Sequence, residues 1–391
     1  MPYTRPFDKW LAPSNCGRVT HLLYFRFTIV GISLAAIGEC LQGPLYVNRW
    51  DSNQGEGFMI TRALRNTILA PLALLLAWIL PSACLADDTA DANQSKTLVY
   101  ITSDQRIPFW NIMSRGIQQQ ARALGYQIQV YSADNNAKQE LEHLARALRQ
   151  NIDGLIISPT TSSAGATLIK LAGAAGVPVV VADIGAETDH YVSFIASDNY
   201  QGAYALGQIL SQALETRGWQ EDRVGIIAIP QRRLNGQTRT AGFMQALDEA
   251  GILAGGMRQQ VDFSYQETYD FSRDLIASEP DLRALWLQGS DRYQGALDAI
   301  RDTGRTGEIL LVTFDAEPEF IQMLADGSLV GAAMQQPFLM GEQAVESLHQ
   351  HLQGEPVMKQ RKLPVLAVST ANLARNLPLI KRNVLGQPEA P

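Results

Sequence analysis

The stretch TLVYITSDQRIPFWNIMSRGIQQQARALGYQIQVY, residues Thr97–Tyr131, decides the fold. It opens with the apolar run Thr97–Ile101 and closes with a second strand-like run, Gln127–Tyr131, whereas Met113–Leu124 between them has helical periodicity. An apolar run without alternation is typical of a strand that is buried on both faces. The stretch therefore predicts a β-α-β unit, which is the repeating element of an α/β fold with a doubly wound parallel sheet.

The same alternation continues along the chain. Further strands are predicted at Gly154–Ile157, Val177–Val181, Val224–Ile229, Ala284–Leu287 and Ile309–Thr313. Further helices are predicted at Gln139–Gln150, Ala164–Ala175, Tyr200–Leu214, Thr240–Ala250, Tyr265–Ser278, Tyr293–Asp302 and Pro318–Ala325. The strands form one group before Ser197 and one after it, so we predict two similar α/β lobes. Because parallel sheets bind ligands beyond the carboxyl ends of their strands, a cleft between the lobes is the expected site.

The segment before residue 87 has the parts of a secretory signal. Arg62 and Arg65 follow Met59, the apolar core Ile68–Leu80 comes next, and small residues precede Asp87. The alternative is a membrane anchor, but the apolar core is shorter than the roughly 20 residues that a spanning helix needs. We predict a signal peptide at 59–86, an over-extended gene start at 1–58, and export to the periplasm.

All three cysteines, Cys16, Cys40 and Cys84, precede Asp87. The mature chain is therefore expected to have no disulfide, no catalytic thiolate and no cysteine-ligated metal. Cys84 leaves lipoprotein anchoring as a less favoured alternative. Such a signal usually has Leu three residues before the Cys, where this chain has Pro81, and Leu80 is one residue too early.

Composition and charge restrict the function classes. A hydrophobic content of 46% and a charged content of 18% fit a globular chain. Four of the 39 acidic and seven of the 32 basic residues lie in 1–86, which leaves 35 acidic and 25 basic residues and a net charge of −10 for the remainder. Without a basic patch, nucleic-acid binding is not expected.

Catalytic motifs are missing from the sequence. It contains no G-x-S-x-G, H-E-x-x-H or Walker A pattern. His349 and His351 are two residues apart and do not share one helix face, so we expect no metal site and no cofactor. Asp183 and Asp315, at strand ends, fit an acid–base pair or acceptors for ligand hydroxyls. With no nucleophile–base pair in view, we favour binding over catalysis and predict that the protein is not an enzyme.

An aromatic pair, Phe109 and Trp110, stands in the loop after the first strand, directly after Pro108. One interpretation is that the pair plugs the end of a core. The other is that it presents flat apolar faces to a ligand in an otherwise polar cleft.

Several landmarks in the mature chain, weak singly, occur together in a characteristic order. They are Pro108-Phe109-Trp110, GLIISPTTS (154–162), GVPVVVAD (176–183), IASDNYQGA (195–203), VTFDAEPEFIQMLADGSL (312–329) and QQPFLMGEQAVE (335–346). From Thr97 to about Ile380 the chain resembles the periplasmic ribose-binding proteins and their type 1 solute-binding relatives, which share the ligand-binding fold of the LacI repressors. A signal peptide in place of a helix-turn-helix argues against a repressor.

The resemblance implies two lobes and a hinge that the chain crosses three times. The crossings are expected near Ser197-Asp198, Gln335-Gln336 and Leu363-Pro364. Lobe one is predicted to comprise 97–197 plus 336–363, and lobe two 198–335 plus 364–380, with a tail at 381–391. Closure of the lobes would bury a solute between them, and we expect a monomer.

The resemblance also implies which residues bind. In the family, aromatic residues sandwich a sugar ring, and this role is carried over to Phe109 and Trp110 from lobe one and Phe263 from lobe two. Hydrogen bonds to the ligand are implied for Ser103, Asp183, Arg239, Asp315 and Gln335, and Ser158 and Gly289 stand where the ribose binder has asparagines.

The chain also departs from the family pattern. Ile107 replaces an asparagine before the Pro-aromatic motif, Ile184 replaces an arginine after Asp183, and Gly289 offers no side chain. Hydroxyl-bonding groups are lost, so ribose itself is doubtful, and a less hydroxylated, deoxygenated or non-sugar ligand fits the pattern.

Three functions remain in competition. The first is the solute-binding subunit of an ABC importer, which closes on a sugar or similar polar ligand and docks on a membrane permease. The second is a sensory binding protein that signals to a membrane receptor or histidine kinase, because the fold serves both uses. The third is a periplasmic enzyme that uses Asp183 and Asp315.

Overall fold

A computed structural model describes residues 95–387. The predicted gene start (1–58), the signal peptide (59–86) and all three cysteines lie outside the described residues. Within the described part, no helix is both long and apolar enough to cross a lipid bilayer.

Strands and helices alternate along the chain, as the sequence predicts. The strands are β1 Thr97–Thr102, β2 Gln127–Ser132, β3 Gly154–Ile157, β4 Val179–Ala182, β5 Ser193–Ser197, β6 Arg223–Ala228, β7 Leu253–Gln259, β8 Leu282–Leu287, β9 Leu310–Phe314, β10 Gly331–Met334, β11 Gln360–Leu363 and β12 Leu366–Val368. The helices are α1 Pro108–Ala123, α2 Ala137–Leu148, α3 Ser162–Ala174, α4 Asn199–Thr216, α5 Leu234–Glu249, α6 Tyr265–Ser278, α7 Tyr293–Asp302, α8 Phe320–Asp326, α9 Pro337–Leu352 and α10 Leu373–Leu379, with a π-helical turn at Ile380–Val384.

The strands form two six-stranded sheets of matching order. The first has the order β11-β5-β4-β3-β1-β2 and the second β12-β10-β9-β8-β6-β7. Pairing is parallel throughout except between β12 and β10. The predicted α/β fold with two doubly wound sheets is therefore confirmed. We call the first sheet with its helices lobe one and the second lobe two.

The chain passes between the sheets three times. It leaves the first sheet after β5, leaves the second after β10, and passes between them again from β11 to β12. The residue pairs Ser197-Asp198, Gln335-Gln336 and Leu363-Pro364 lie in these connections. Gln336 donates from Nε2 to the Pro364 carbonyl oxygen at 2.7 Å, so two of the three connections are joined to each other.

Helix pairs on each lobe pack unusually closely. A Cβ on Gly116 of α1 would lie 2.2 Å from the Phe338 carbonyl oxygen of α9, and a Cβ on Gly242 of α5 would lie 2.2 Å from the Tyr200 carbonyl oxygen of α4. Only glycine allows such an approach of two backbones. The packing therefore holds the N-terminal ends of α1 and α5, one from each lobe, at the carboxyl ends of the first strands.

Four strands escape the sequence patterns for physical reasons. β5 (SFIAS) and β10 (GAAM) contain small or polar residues, β11 (QRKL) is mostly polar and β12 (LAV) has only three residues, so none of them forms a strong apolar run. The edge strand β7 also escapes, because its Gly255-Gly256 pair interrupts the apolar pattern and shifts the register against β6. Helix α5 begins at Leu234, six residues before the predicted start.

The segment from residue 381 onward is not a free tail as far as it is described. Val384 and Leu385 are buried in the core of lobe two together with Ile380. Arg382 makes a bidentate ion pair with Glu342 of α9, at 2.6 and 2.9 Å. As far as Gln387, the segment predicted as a tail at 381–391 therefore packs against the body of the protein.

Candidate functional site

A cavity of about 50 Å³ lies between the two lobes, at the carboxyl ends of both sheets. Its walls are formed by Ile107, Phe109, Trp110, Asp183, Ile229, Arg233, Asn235, Arg239, Phe263, Gln288, Gly289, Asp291, Asp315 and Gln335. Eight of the ten predicted site residues are among them: Phe109, Trp110, Asp183, Arg239, Phe263, Gly289, Asp315 and Gln335.

The lobe-one wall is aromatic and apolar. Pro108 starts α1, where its fixed φ and missing N–H are tolerated, and this brings Phe109 and Trp110 to the cavity on the first turn. The two rings meet edge to face with their centroids 4.8 Å apart. Trp110 is only 5% exposed and belongs to the core of lobe one. Trp110 therefore contributes to the core, and both residues also line the cavity, whereas their contact with a ligand stays a prediction.

Three of the predicted residues adopt the left-handed backbone conformation that non-glycine residues seldom take. The φ angles are +64° at Asp183, +52° at Phe263 and +71° at Asp315. Asp183 follows β4 and Asp315 follows β9, so the two occupy equivalent places in the two sheets. Strained backbone at such positions is typical of functional sites, where the surrounding structure holds a side chain in a required direction.

Arg239 organises the lobe-two wall. Its Nε donates to Asn199 Oδ1 at 2.8 Å and its Nη1 to the Gln288 carbonyl oxygen at 2.7 Å. Asp315 Oδ2 lies 3.6 Å from Nη1. The guanidinium also lies over the ring of Phe314, 3.9 Å from its centroid. These contacts fix a buried positive charge at the cavity surface.

The two equivalent aspartates have different partners. Asp315 Oδ1 accepts from Gln335 Nε2 at 2.6 Å, whereas Asp183 Oδ2 accepts from Asn235 Nδ2 at 3.1 Å. Burial raises the pKa of Asp183 to about 6, against the opposing effect of Arg239. Burial also raises the pKa of Asp315, and Arg239 and the hydrogen bond from Gln335 oppose that shift.

Three buried acceptor atoms at the cavity accept no hydrogen bond within the described residues. One of them, Asp291 Oδ2, has an ion-pair partner in Arg292, and the other two have none. Asp183 Oδ1 and Gln335 Oε1 accept no hydrogen bond from any residue between 95 and 387. A buried polar atom without a partner costs free energy, so such atoms are rare in proteins and need an explanation. Both atoms are suited to accept a hydrogen bond from a ligand hydroxyl.

A further carboxylate, Asp291, lines the cavity beside Gly289. Its Oδ2 lies 3.0 Å from Arg292 Nη1. Burial raises the pKa of Asp291 to about 6 even though Arg292 opposes the shift. Behind it Ser290 donates to Glu317 Oε1 at 2.8 Å, and burial raises the pKa of Glu317 to about 7.

Two predicted residues do not line the cavity. Ser158 is fully buried and its hydroxyl lies 3.0 Å from the hydroxyl of Tyr100, within the core of lobe one. Ser103 is 1% exposed, and Arg233 Nη2 lies 3.4 Å from its Oγ. Both serines follow strands, as predicted, but their short side chains are taken up by protein partners.

Two important residues escape the sequence analysis, Arg233 and Asn235. They stand at the start of α5, and the helical periodicity from Thr240 onward gives no indication that the helix begins at Leu234. The signal that was available is their place directly after β6, where parallel sheets bind ligands. Gln288 and Ile229 line the cavity together with Gly289. No pattern in the sequence indicates that these two residues belong to the site.

Metal chemistry has no support among the described residues. No cluster of three or more His, Cys, Asp or Glu side chains between 95 and 387 has the geometry to hold an ion. His349 is instead paired with Tyr126, whose hydroxyl lies 2.7 Å from His349 Nδ1. The arrangement that the cavity offers is aromatic faces, buried charges and free acceptors, which suit the binding of a polar organic molecule.

Comparison with known proteins agrees with this architecture. A family model described as "Periplasmic binding protein domain" matches residues 98–356. The ribose import binding protein of Haemophilus influenzae is 30% identical over 295 residues, which cover 75% of this chain and 94% of that protein. The ribose import binding protein of Bacillus subtilis is 27% identical over 305 residues, which cover 78% of this chain and 97% of that protein.

Solved structures share the same fold. One is a carbohydrate transporter solute-binding protein from Agrobacterium radiobacter in complex with D-arabinose. It superposes with a TM-score of 0.69 and 21% identity, and the match covers 75% of this chain and 100% of that one.

Proposed function

The chain belongs to the periplasmic binding protein family, and we propose that it closes its two lobes around a small sugar and delivers that sugar to an ABC importer. It is a binding protein and not an enzyme, since its relatives are import binding proteins. Import is favoured over sensing for the same reason, and the periplasm is the compartment in which the family works. A signal peptide at 59–86 would supply the export.

The observation that carries the proposal is the convergence at one cavity of aromatic faces and unpartnered acceptors. Phe109 and Trp110 approach from lobe one and Phe263 from lobe two. Asp183 Oδ1 and Gln335 Oε1 lack a donor among residues 95–387. A sugar ring matches both features, because its C–H faces pack on aromatic rings and its hydroxyls donate to carboxylate and amide oxygens.

We assign the binding roles accordingly. Phe109, Trp110 and Phe263 stack on the ring. Asp183, Asp315 and Gln335 accept hydrogen bonds from hydroxyls, and Arg239 donates to ligand oxygens. Charge-assisted bonds of this kind are shorter and about twice as strong as neutral ones, so they orient the ligand. Ser103 and Ser158 support the wall from behind.

We assign residues 97–197 plus 336–363 to lobe one and 198–335 plus 364–380 to lobe two. The lobes rotate about the connections near residues 198, 336 and 364. Such hinge closure around a ligand is the usual motion of two-lobed binding proteins.

The chemistry of the walls restricts the ligand. Ile107 and Ile229 line the cavity and form an apolar surface, whereas Gly289 lies next to the Asp291 carboxylate, whose Oδ1 would be 3.6 Å from a Cβ there. The two isoleucines offer no hydrogen-bonding group on this surface. A ligand hydroxyl that faced this surface would lose its hydrogen bonds to water without replacement. The bound sugar therefore has a side that is poor in hydroxyls, which makes a deoxygenated or small sugar a better fit than ribose.

Thermal melting of the purified protein tests the proposal. D-Ribose, D-arabinose, 2-deoxy-D-ribose, D-allose, D-fucose, myo-inositol and glycerol serve as probes. A probe at one hundred times its Kd adds about 2.7 kcal/mol of stability, which for a protein of this size raises Tm by roughly 5 °C.

The variant Asp183→Asn and its control Asp189→Asn identify the site. Asn tolerates the left-handed backbone, so Asp183→Asn removes the charge without straining the loop. It is expected to lose most of the shift, whereas Asp189→Asn, on an exposed loop of the same lobe, keeps it. A shift that survives Asp183→Asn would place the ligand elsewhere, and a folded protein that responds to no probe would contradict sugar binding.

A further inference from the structure

We propose that Arg233 is a specificity-determining residue, which closes one end of the cavity by docking across the cleft and thereby selects sugars of five carbons or fewer over hexoses and six-carbon cyclitols. The inference rests on the proposed sugar binding and names the size class of the ligand.

Arg233 belongs to lobe two but makes its hydrogen bonds in lobe one. Its Nε donates to the Thr160 carbonyl oxygen at 3.1 Å, and its Nη2 donates to Asn135 Oδ1 at 2.9 Å and contacts Ser103 Oγ at 3.4 Å. The three partners follow β1, β2 and β3, so three neighbouring strands end in one socket for a single guanidinium. We call Ser103, Asn135 and Thr160 the lobe-one socket.

The socket is held from behind by a buried acid. Glu140 of α2 is fully buried and accepts from the Thr160 N–H at 2.8 Å and from Thr160 Oγ1 at 3.0 Å. Asn135 is held in turn by a backbone bond to the Ser103 carbonyl oxygen at 2.8 Å. The acceptors therefore keep their places and match the rigid fork of a guanidinium, which a flexible ammonium does not reproduce.

On its other side the guanidinium faces the cavity. Arg233 is 6% exposed, lines the cavity, and lies over the ring of Phe263, 5.4 Å from its centroid. Phe263 is itself fixed, because its carbonyl oxygen accepts from Arg292 Nε at 2.7 Å. The arginine is therefore clamped between the lobe-one socket and a ring that also faces the ligand.

The cavity that Arg233 lines is small. With Arg233 docked, the cavity measures about 50 Å³, whereas pockets that bury drug-sized ligands measure about 300–1,000 Å³. A ligand with a further carbon that extends to this end has to displace the arginine from its three acceptors, and the two in buried residues, Ser103 and Thr160, then lose their partner. The penalty applies only to ligands that reach this end, so it discriminates by size.

Isothermal titration with D-ribose, D-arabinose, D-allose and myo-inositol tests the inference on the wild type and on Arg233→Ala. The wild type is expected to bind a pentose at least tenfold more tightly than D-allose or myo-inositol. Arg233→Ala is expected to bind the pentose about tenfold more weakly and to reduce the ratio of the two affinities at least tenfold. Arg233→Lys, which retains the charge without the fork, should fall between the two.

Two controls separate charge from geometry. Arg232→Ala removes the same charge from the neighbouring exposed position and should leave the affinity ratio unchanged. Asn135→Gly removes one socket acceptor, and glycine tolerates the φ of +60° found there. It should weaken all probes to a similar extent and leave the ratio alone, because two acceptors still hold the guanidinium.

Hydrogen exchange without any sugar provides an independent readout. Peptides that cover residues 133–136 and 159–162 should exchange faster in Arg233→Ala than in Arg232→Ala. A wild type that prefers D-allose or myo-inositol, or an Arg233→Ala variant that matches Arg232→Ala in affinity ratio and exchange, would overturn the inference. Faster exchange in a protein that binds none of the sugars would instead reject sugar binding, and the specificity role with it, while leaving the interlobe contact in place.

Discussion

The two lobes share one strand order, and one instructive difference between them is the residue before the first helix that follows the first strand. In lobe one this N-cap residue is Ile107, ahead of α1, and in lobe two it is Arg233, ahead of α5. Neither side chain caps its helix, although Ser, Thr, Asp or Asn at this position stabilise a helix by about 1 kcal/mol. Both side chains enter the cavity instead.

The two walls of the cavity come from equivalent elements of the two lobes but differ in their chemistry. Lobe one provides Ile107, Phe109 and Trp110, a wall of apolar faces backed by its own core. Lobe two provides Arg233, Asn235 and, one helical turn later, Arg239. Lobe one therefore provides most of the apolar surface of the cavity, and lobe two provides most of its polar groups.

The largest effect is expected from removal of the organising charge of lobe two. Arg239→Ala leaves Asp315 buried without its cation, and breaking one partner out of a buried pair costs about 3–5 kcal/mol. Urea unfolding measures the loss. The exposed neighbour Arg232, changed to Ala, should alter stability by less than about 0.5 kcal/mol. Equal effects for the two variants would show that the network around Arg239 is not needed for stability.

The pH dependence of stability tests two buried carboxylates of lobe one, Asp183 and Glu140. The pKa of Asp183 is raised to about 6 and that of Glu140 to about 7, in each case mainly by burial. Between pH 4 and pH 7 the folded protein therefore binds more protons than the unfolded chain, so its stability falls as the pH rises through this window. We expect the sugar-free protein to be more stable at pH 5 than at pH 7.5.

Each of these groups should contribute on the order of 2 kcal/mol, since one unit of pKa corresponds to 1.36 kcal/mol. Asp183→Asn and Glu140→Gln should each flatten the decline in urea midpoint between pH 5 and pH 7.5. Asp134→Asn is the control, because the hydrogen bond from Ser132 lowers the pKa of Asp134 and places its titration below the window. A decline that neither variant reduces would assign the effect to other groups.

The two roles of the aromatic wall are separated by Phe109→Leu, which keeps an apolar side chain but removes the flat ring. As a swap of similar volume it should cost less than about 1.5 kcal/mol of stability. Loss of ring stacking, worth about 0.5–1.5 kcal/mol, should weaken the best sugar probe about 3- to 10-fold. Titration calorimetry together with urea unfolding distinguishes the outcomes, and unchanged affinity would reduce Phe109 to a plug of the core.

The smallest effect is expected behind the lobe-one wall. Ser158→Ala removes the buried contact with the hydroxyl of Tyr100 and should cost about 1 kcal/mol in unfolding experiments. Sugar affinity should stay within twofold of the wild type, because Ser158 does not line the cavity. A tenfold loss of affinity at unchanged stability would return Ser158 to the binding site.

Sequence patterns predicted strands and helices best where one local feature, an apolar run or a helical period, was sufficient to identify the element. Strong apolar runs such as those of β3 and β8, and the periodic helices Tyr265–Ser278 and Tyr293–Asp302, were predicted within two residues at each end. Asp183 and Asp315 were predicted as site residues because they follow strands. Arg233 was missed because its role depends on acceptors in three segments of the other lobe, and no local pattern encodes such a meeting.

By itself the sequence determined the α/β alternation, the two groups of strands and the residue types at strand ends, because burial on both faces and helical periodicity are local properties of a chain. Tertiary structure alone decided which side chains face the cavity. The Ser158 side chain lies in the core, and Arg233 binds residues on the opposite side of the cleft. Asp183 and Asp315 have different hydrogen-bond partners although they occupy equivalent positions. These outcomes depend on distances between residues far apart in the chain, which only the packing of the two lobes sets.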